Sequence, residues 1–144
     1  MDTADRMSIA EYRVLLGAGV AARPTRRASP EEALQRDCVR LAGLLLRQYP
    51  ILRWLVHVPN GGKRPRGEAG KLKAMGAKPG VPDILLPRRH GDWQGLAVEL
   101  KSATGRLSSE QTDWLNAFRE DGYLVGVCRT IDEFQTILRQ YLRN

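Results

Sequence analysis

No apolar run in this 144-residue chain is long enough to cross a membrane, which excludes an α-helical membrane protein as a reading of the sequence. Cysteine is scarce: Cys38 and Cys128 are the only two, and their apolar neighbours suit buried free thiols better than a disulfide framework. Histidine is equally scarce, and His57 and His90 form no short-spaced pair with each other or with the cysteines, which argues against structural zinc. The stretch 9–20 is broken by Glu11, Tyr12, Arg13 and two glycines, so a secretory leader is not expected. Internal repeats and low-complexity segments are also missing.

What the chain has in excess is positive charge, +7 in formal terms, and the excess is concentrated. Lys63, Arg64, Arg66, Lys71, Lys73 and Lys78 are opposed in their stretch only by Glu68. Such a field suits a polyanion, with these six residues as candidate DNA contacts, although a well-solvated basic face would look the same. Hydrophobic residues at 42% and charged residues at 27% are those of an ordinary soluble protein. The length fits one domain. Residues 1–28, with a short helical candidate at 8–16 and a basic linker, read as an arm, and residues 29–144 as the domain proper.

Ser29, Pro30 and Glu32 stand where an N-cap, a first-turn proline and a capping-box glutamate belong, so a helix begins there. Leu34, Cys38, Leu41, Ala42 and Leu45 give it one buried face reaching at least to Tyr49. Glu31 lies on that same face. The run 52–58 reads as a strand ended by Pro59-Asn60-Gly61-Gly62, and 68–75 as a short basic helix stopped by Gly76. Strands are expected at 82–86 and 96–101, joined by a turn at 88–92. Ser108 and Gln111 repeat the capping box before a helix that ends at Gly122, followed by a strand at 123–128 and a closing helix at 131–142. The expected fold is α/β: helix, three strands, helix, strand, helix, with a central mixed sheet flanked by helices.

Leu96-Ala97-Val98-Glu99-Leu100-Lys101 resembles a strand buried on both faces, yet it carries two charges at its end. Side chains alternate along a strand, so Glu99 and Lys101 share a face. Alone they read equally as an ion pair. The strand before them opens with Pro82-Asp83, however, and if the two strands pair, Asp83 and Glu99 converge on one point. Two carboxylates there, with backbone oxygens and water, form a site that suits Mg²⁺. An ion so held polarises a phosphate and activates water, with Lys101 placed to orient or deprotonate that water and to offset negative charge. Glu31 can add a further carboxylate, or serve only the dipole of its own helix.

Pro82-Asp83, a fifteen-residue gap, and Glu99-Leu100-Lys101 together resemble the signature of the PD-(D/E)XK nuclease superfamily. More narrowly, Glu31-x-x-Leu34-Gln35, Asn60-Gly61, Gly80-Val81-Pro82-Asp83, Glu99-Leu100-Lys101 and Ser108-x-x-Gln111, in that order, resemble the VRR-NUC family of virus-type replication-repair nucleases. The resemblance spans residues 30 to about 140 and implies a restriction-endonuclease-like core. It implies Asp83, Glu99, Lys101, Glu31 and Gln111 as catalytic-site residues, and Mg²⁺ or Mn²⁺ held by Asp83, Glu99, the backbone carbonyl of Leu100 and Glu31. Gln111 has its capping role as a rival or companion explanation. Relatives of this type act on branched, flap or Holliday-junction DNA, often as homodimers, in the cytoplasm of bacterial or phage-infected cells. A non-catalytic DNA-binding module that keeps the fold is the alternative, and the intact Asp83, Glu99 and Lys101 set speaks against it.

Overall fold

The computed structural model describes residues 27–59 and 65–143. The helix expected at 8–16, the Asn60-Gly61-Gly62 turn, and Lys63 and Arg64 lie outside the described residues, as does the side chain of Arg66.

Helix α1 (Pro30–Leu45) starts on the expected box: the Glu32 amide donates to Ser29 Oγ at 3.2 Å and the Ser29 amide donates to Glu32 Oε2 at 2.8 Å. Leu34, Cys38, Leu41 and Ala42 are its buried residues. The helix stops at Leu45, short of the expected Tyr49, but the Tyr49 amide still donates to the Leu45 carbonyl at 2.8 Å.

The strand expected at 52–58 is a correction. Pro50–Trp54 forms a 3-10 turn and only Val56–His57 forms strand β1. Pro50, with its fixed φ and missing N–H, is well suited to the first position of a helical turn. The bonds from the Leu52 amide to the Tyr49 carbonyl and from the Leu55 amide to the Leu52 carbonyl then close it. Leu52 alone of that turn is buried.

The remaining elements follow the expected order: α2 (Arg66–Ala74), β2 (Ile84–Leu86), β3 (Leu96–Leu100), α3 (Ser109–Glu120), β4 (Leu124–Cys128) and α4 (Ile131–Leu142). They build a four-stranded mixed sheet in the order β1-β2-β3-β4, with β1/β2 and β2/β3 antiparallel and β3/β4 parallel. Short chain segments can join the antiparallel strands, whereas the parallel pair needs the crossover that α3 supplies.

Alternation along β3 divides the sheet into two faces. Leu96, Val98 and Leu100 join one core with Leu34, Cys38 and Leu41 of α1 and with Phe134, Leu138 and Tyr141 of α4. Ala97 and Glu99 face the other way, toward α3. Cys38 and Cys128 are buried free thiols, as expected, and burial pushes both up, Cys128 to about 12. Among the described residues no helix is long and apolar enough to cross a membrane.

Candidate active site

The site lies where β2 begins and β3 ends. Ile84 pairs with Val98, and carrying that antiparallel register one residue further sets Asp83 opposite Glu99. Directly opposed side chains on such strands stand about 5 Å apart at Cβ. Asp83 is fixed there because the Leu100 amide donates to its Oδ2 at 2.7 Å.

Glu99 is only 2% exposed. Two donors from different elements address its Oε1: Gln111 Nε2 of α3 at 2.7 Å and Lys101 Nζ at 3.4 Å. Burial, then the charge of Asp83, pushes the Glu99 carboxyl up to about 7 against the pull of Lys101. Burial also raises Asp83, opposed by the Leu100 N–H, His57 and Lys101. The two acids therefore hold an arrangement that neither favours when both are ionised.

Gln111 performs both of the roles that its position in the sequence suggests. Its Oε1 accepts from the Ser108 amide at 2.9 Å, closing the capping box of α3, while its Nε2 donates to Glu99. The start of α3 is in turn seated on the loop leading to Asp83. Gly80 has φ of 84°, and a Cβ there would stand 2.6 Å from the Glu110 carbonyl carbon and 2.8 Å from the Gln111 nitrogen. Trp114 Nε1 donates to the Pro79 carbonyl at 3.0 Å, three positions before the fully buried Pro82. The Gly80-Val81-Pro82-Asp83 segment thus positions an acid and a helix start together.

Glu31 reaches this end of the sheet but is exposed, and its Oε1 accepts the Ser102 amide at 3.0 Å. Its charge still raises both Asp83 and Glu99. Asp83, Glu99, Lys101 and Gln111 are therefore gathered into one cluster, with Glu31 at its rim. Among the described residues no three His, Cys, Asp or Glu side chains group tightly enough to hold a metal on their own. Lys71 and Lys73 are exposed on α2, and Lys78 is exposed beyond it. They belong to the connection that leaves β1 and returns to β2 at the site, where the Val58 amide donates to the Asp83 carbonyl at 2.8 Å.

Two residues at the site were not anticipated from the sequence. His57 Nδ1 lies 2.9 Å from the Asp83 carbonyl, which can only accept, so that nitrogen carries the proton. Arg129 donates from Nη1 to the carbonyls of Ser102 at 2.5 Å and Gly105 at 2.7 Å, clamping the loop that follows Lys101. The pairing of Leu100 with Cys128 was the one signal for Arg129, and it becomes readable only once β4 is known to lie parallel to β3.

The α/β scaffold thus brings a Pro-Asp and a Glu-x-Lys together at one sheet end, with a helix-start glutamine on the glutamate. Residues 30–131 match the family model of the VRR-NUC domain, and the chain belongs to that family. Its fold is similar to that of a solved structure described as a VRR_NUC domain protein: the TM-score is 0.65 at 24% identity, over 82% of this chain and 92% of the other. No curated protein matches the chain.

Proposed function

We propose that this protein is a metal-dependent DNA endonuclease that hydrolyses phosphodiester bonds, with Asp83, Glu99 and Lys101 as its catalytic residues. The observation that carries the reading is the paired acids: Glu99, buried and facing Asp83, is held up to about 7 by burial and by that neighbour. A divalent cation relieves both penalties, and hard oxygen donors are what Mg²⁺ or Mn²⁺ prefers. Asp83, Glu99 and the Leu100 carbonyl would hold it, with water filling the remaining positions. When bound, the ion supplies Lewis-acid polarisation of the phosphate and a more acidic water.

The chain's own residues supply the rest. Lys101 stands beside Glu99 to orient or deprotonate the attacking water and to offset the charge that accumulates on the phosphate oxygens. Gln111 keeps Glu99 turned toward Asp83, and the Leu100 N–H does the same for Asp83. Glu31 ties the backbone after Lys101 through Ser102, and from the rim its charge acts on both acids.

A basic surface with no evident base-reading motif selects DNA by shape and phosphate position. That favours structured DNA, and membership of the VRR-NUC family supports extending the proposal to branched, flap or four-way-junction DNA in phage or bacterial replication and repair, by a homodimer on a restriction-endonuclease-like core. The test is cleavage of matched linear, flap and four-way-junction DNA by wild type and Asp83→Ala, with Mg²⁺, Mn²⁺ or EDTA. Cutting that needs the metal and disappears in the variant is expected. Binding without cutting under every condition would overturn the catalytic reading in favour of a DNA-binding module.

A further inference from the structure

At the other end of β1, away from the acids, Trp54 is 48% exposed, a high value for so large an apolar side chain. Two guanidinium carbons lie over its ring: Arg53 at 5.2 Å and Arg88 at 5.5 Å from the ring centroid. They come from different elements, the 3-10 turn and the chain after β2. Both are held from the core. The Arg88 amide donates to the Leu86 carbonyl at 2.9 Å, and the hydroxyl of the fully buried Tyr141 donates to the Arg88 carbonyl at 2.5 Å. Arg53 follows Leu52, the one buried residue of its turn.

Stacking on an aromatic ring occupies the flat face of a guanidinium and leaves its five in-plane N–H donors free. Among the described residues neither arginine has a hydrogen bond or ion pair to a carboxylate. Two like charges are thereby held within about 11 Å of each other, near one Debye length at ordinary salt, and among the described residues no carboxylate pairs with either. Such an arrangement is stabilised by an external anion that can take planar, paired hydrogen bonds, which is the chemistry of a phosphate.

We propose that Arg53 and Arg88, set over the Trp54 ring, form a clamp for a backbone phosphate of the DNA strand, outside the catalytic site. The proposal rests on the nuclease reading for the identity of its ligand. The chain from Trp54 to His57 sets the distance: Leu55 is extended, Val56 and His57 form β1, and His57 donates to the Asp83 carbonyl. Three residues of extended chain cover about 10 Å. At about 3.4 Å of rise per nucleotide, the clamped phosphate lies roughly three nucleotides from the one cleaved.

The experiment is DNA binding by fluorescence anisotropy, in EDTA, of full-length wild type, Arg53→Ala/Arg88→Ala and Trp54→Ala on labelled linear and four-way-junction DNA, across 50 to 200 mM salt (about a fourfold range). Loss of one phosphate contact should make the slope of log affinity against log salt shallower by about 0.9, so that the double variant loses about 3.5-fold less affinity over this range than wild type. Its affinity at low salt should already be lower, and Trp54→Ala should shift in the same direction. Wild-type protein provides a second arm that needs no variant to fold. A neutral methylphosphonate about three nucleotides from the mapped cut should weaken binding, whereas one placed ten away should not. An unchanged salt slope in a folded double variant, or a methylphosphonate scan with no effect near that position, would overturn the clamp. If wild type still cuts, the nuclease reading survives that result. A shallower slope in a protein that cuts nothing would uphold the clamp and sink the catalytic reading, and wild type that neither binds nor cuts would overturn both.

Discussion

Replacing Glu99 by Gln should make the metal-free protein more stable above neutral pH while abolishing cleavage. In the folded chain this carboxyl is pushed up from 4.5 to about 7. Between those values the folded state holds a proton that the unfolded state has released. Stability must then fall as pH rises through the window, by about 1.4 kcal/mol per unit, and level off above pH 7. The total is about 3 kcal/mol. Gln has the shape of the protonated acid, and its carbonyl oxygen can keep the bond from Gln111 Nε2 that Glu99 Oε1 accepts at 2.7 Å. The variant should therefore exceed wild type by about 3 kcal/mol at pH 8 and by less than about 1 kcal/mol at pH 5, a melting difference of roughly 10 °C at the higher pH.

Urea denaturation in EDTA at intervals from pH 5 to 8, followed by tryptophan fluorescence, measures the difference directly. Adding Mg²⁺ at pH 8 should then stabilise wild type, by about 2.7 kcal/mol at a hundred times its dissociation constant, and leave Glu99→Gln nearly unmoved. A variant less stable than wild type at pH 8, or a difference that stays flat across the range, would refute the reasoning. The gain in stability would mark Glu99 as a residue retained for its chemistry at a cost to the fold.

The other predictions concern the groups that hold the acids in place. Gln111→Ala loses both the cap of α3 and the bond to Glu99, so it should cost about 1–2 kcal/mol and lower cleavage about tenfold. Gln111→Glu keeps the cap acceptor but replaces the donor to Glu99 with a third acid, so denaturation should show a loss of about 1–2 kcal/mol at pH 8 that shrinks toward pH 5, while cleavage falls at least as far. Gly80→Ala combines a left-handed backbone with contact to the Glu110 and Gln111 backbone, and should shift the urea midpoint by about 2–4 kcal/mol of stability. An unchanged midpoint would show that the segment is not wedged there. Arg129→Ala removes two bonds to the loop after Lys101 and should cost about 1–2 kcal/mol with about a tenfold loss of cleavage. A stability loss with normal cleavage would detach that loop from the site.

Whether a residue could be placed from the sequence depended on how far away its partner lay. The two capping boxes are local chemistry, three residues from cap to partner, and both formed as expected. Glu99 and Lys101 share a face through the two-residue period of one strand, and Asp83 needed only the antiparallel pairing of neighbouring strands. The run at 52–58 misled because apolar residues alone do not separate a strand from a 3-10 turn, and Pro50 tipped it into a turn. Glu31 shares the helix face of its buried neighbours, but its hydrogen bond to Ser102 spans 71 positions, a pairing that no local period encodes. His57 and Arg129 are of the same kind, since each enters the site through a strand register that exists only in the folded sheet. The residues that would bear the chemistry were thus legible because they sit on one strand and its neighbour. Of the residues that fix their geometry, Glu31 and Gln111 were named, and His57 and Arg129 were missed, because these last two enter from strands that only the folded sheet brings together. Gln111 shows the difference within one side chain: its oxygen caps a helix by a local rule, and its nitrogen reaches across to Glu99 by a tertiary one. Substitutions that separate those two atoms test the site more sharply than removal of the whole side chain.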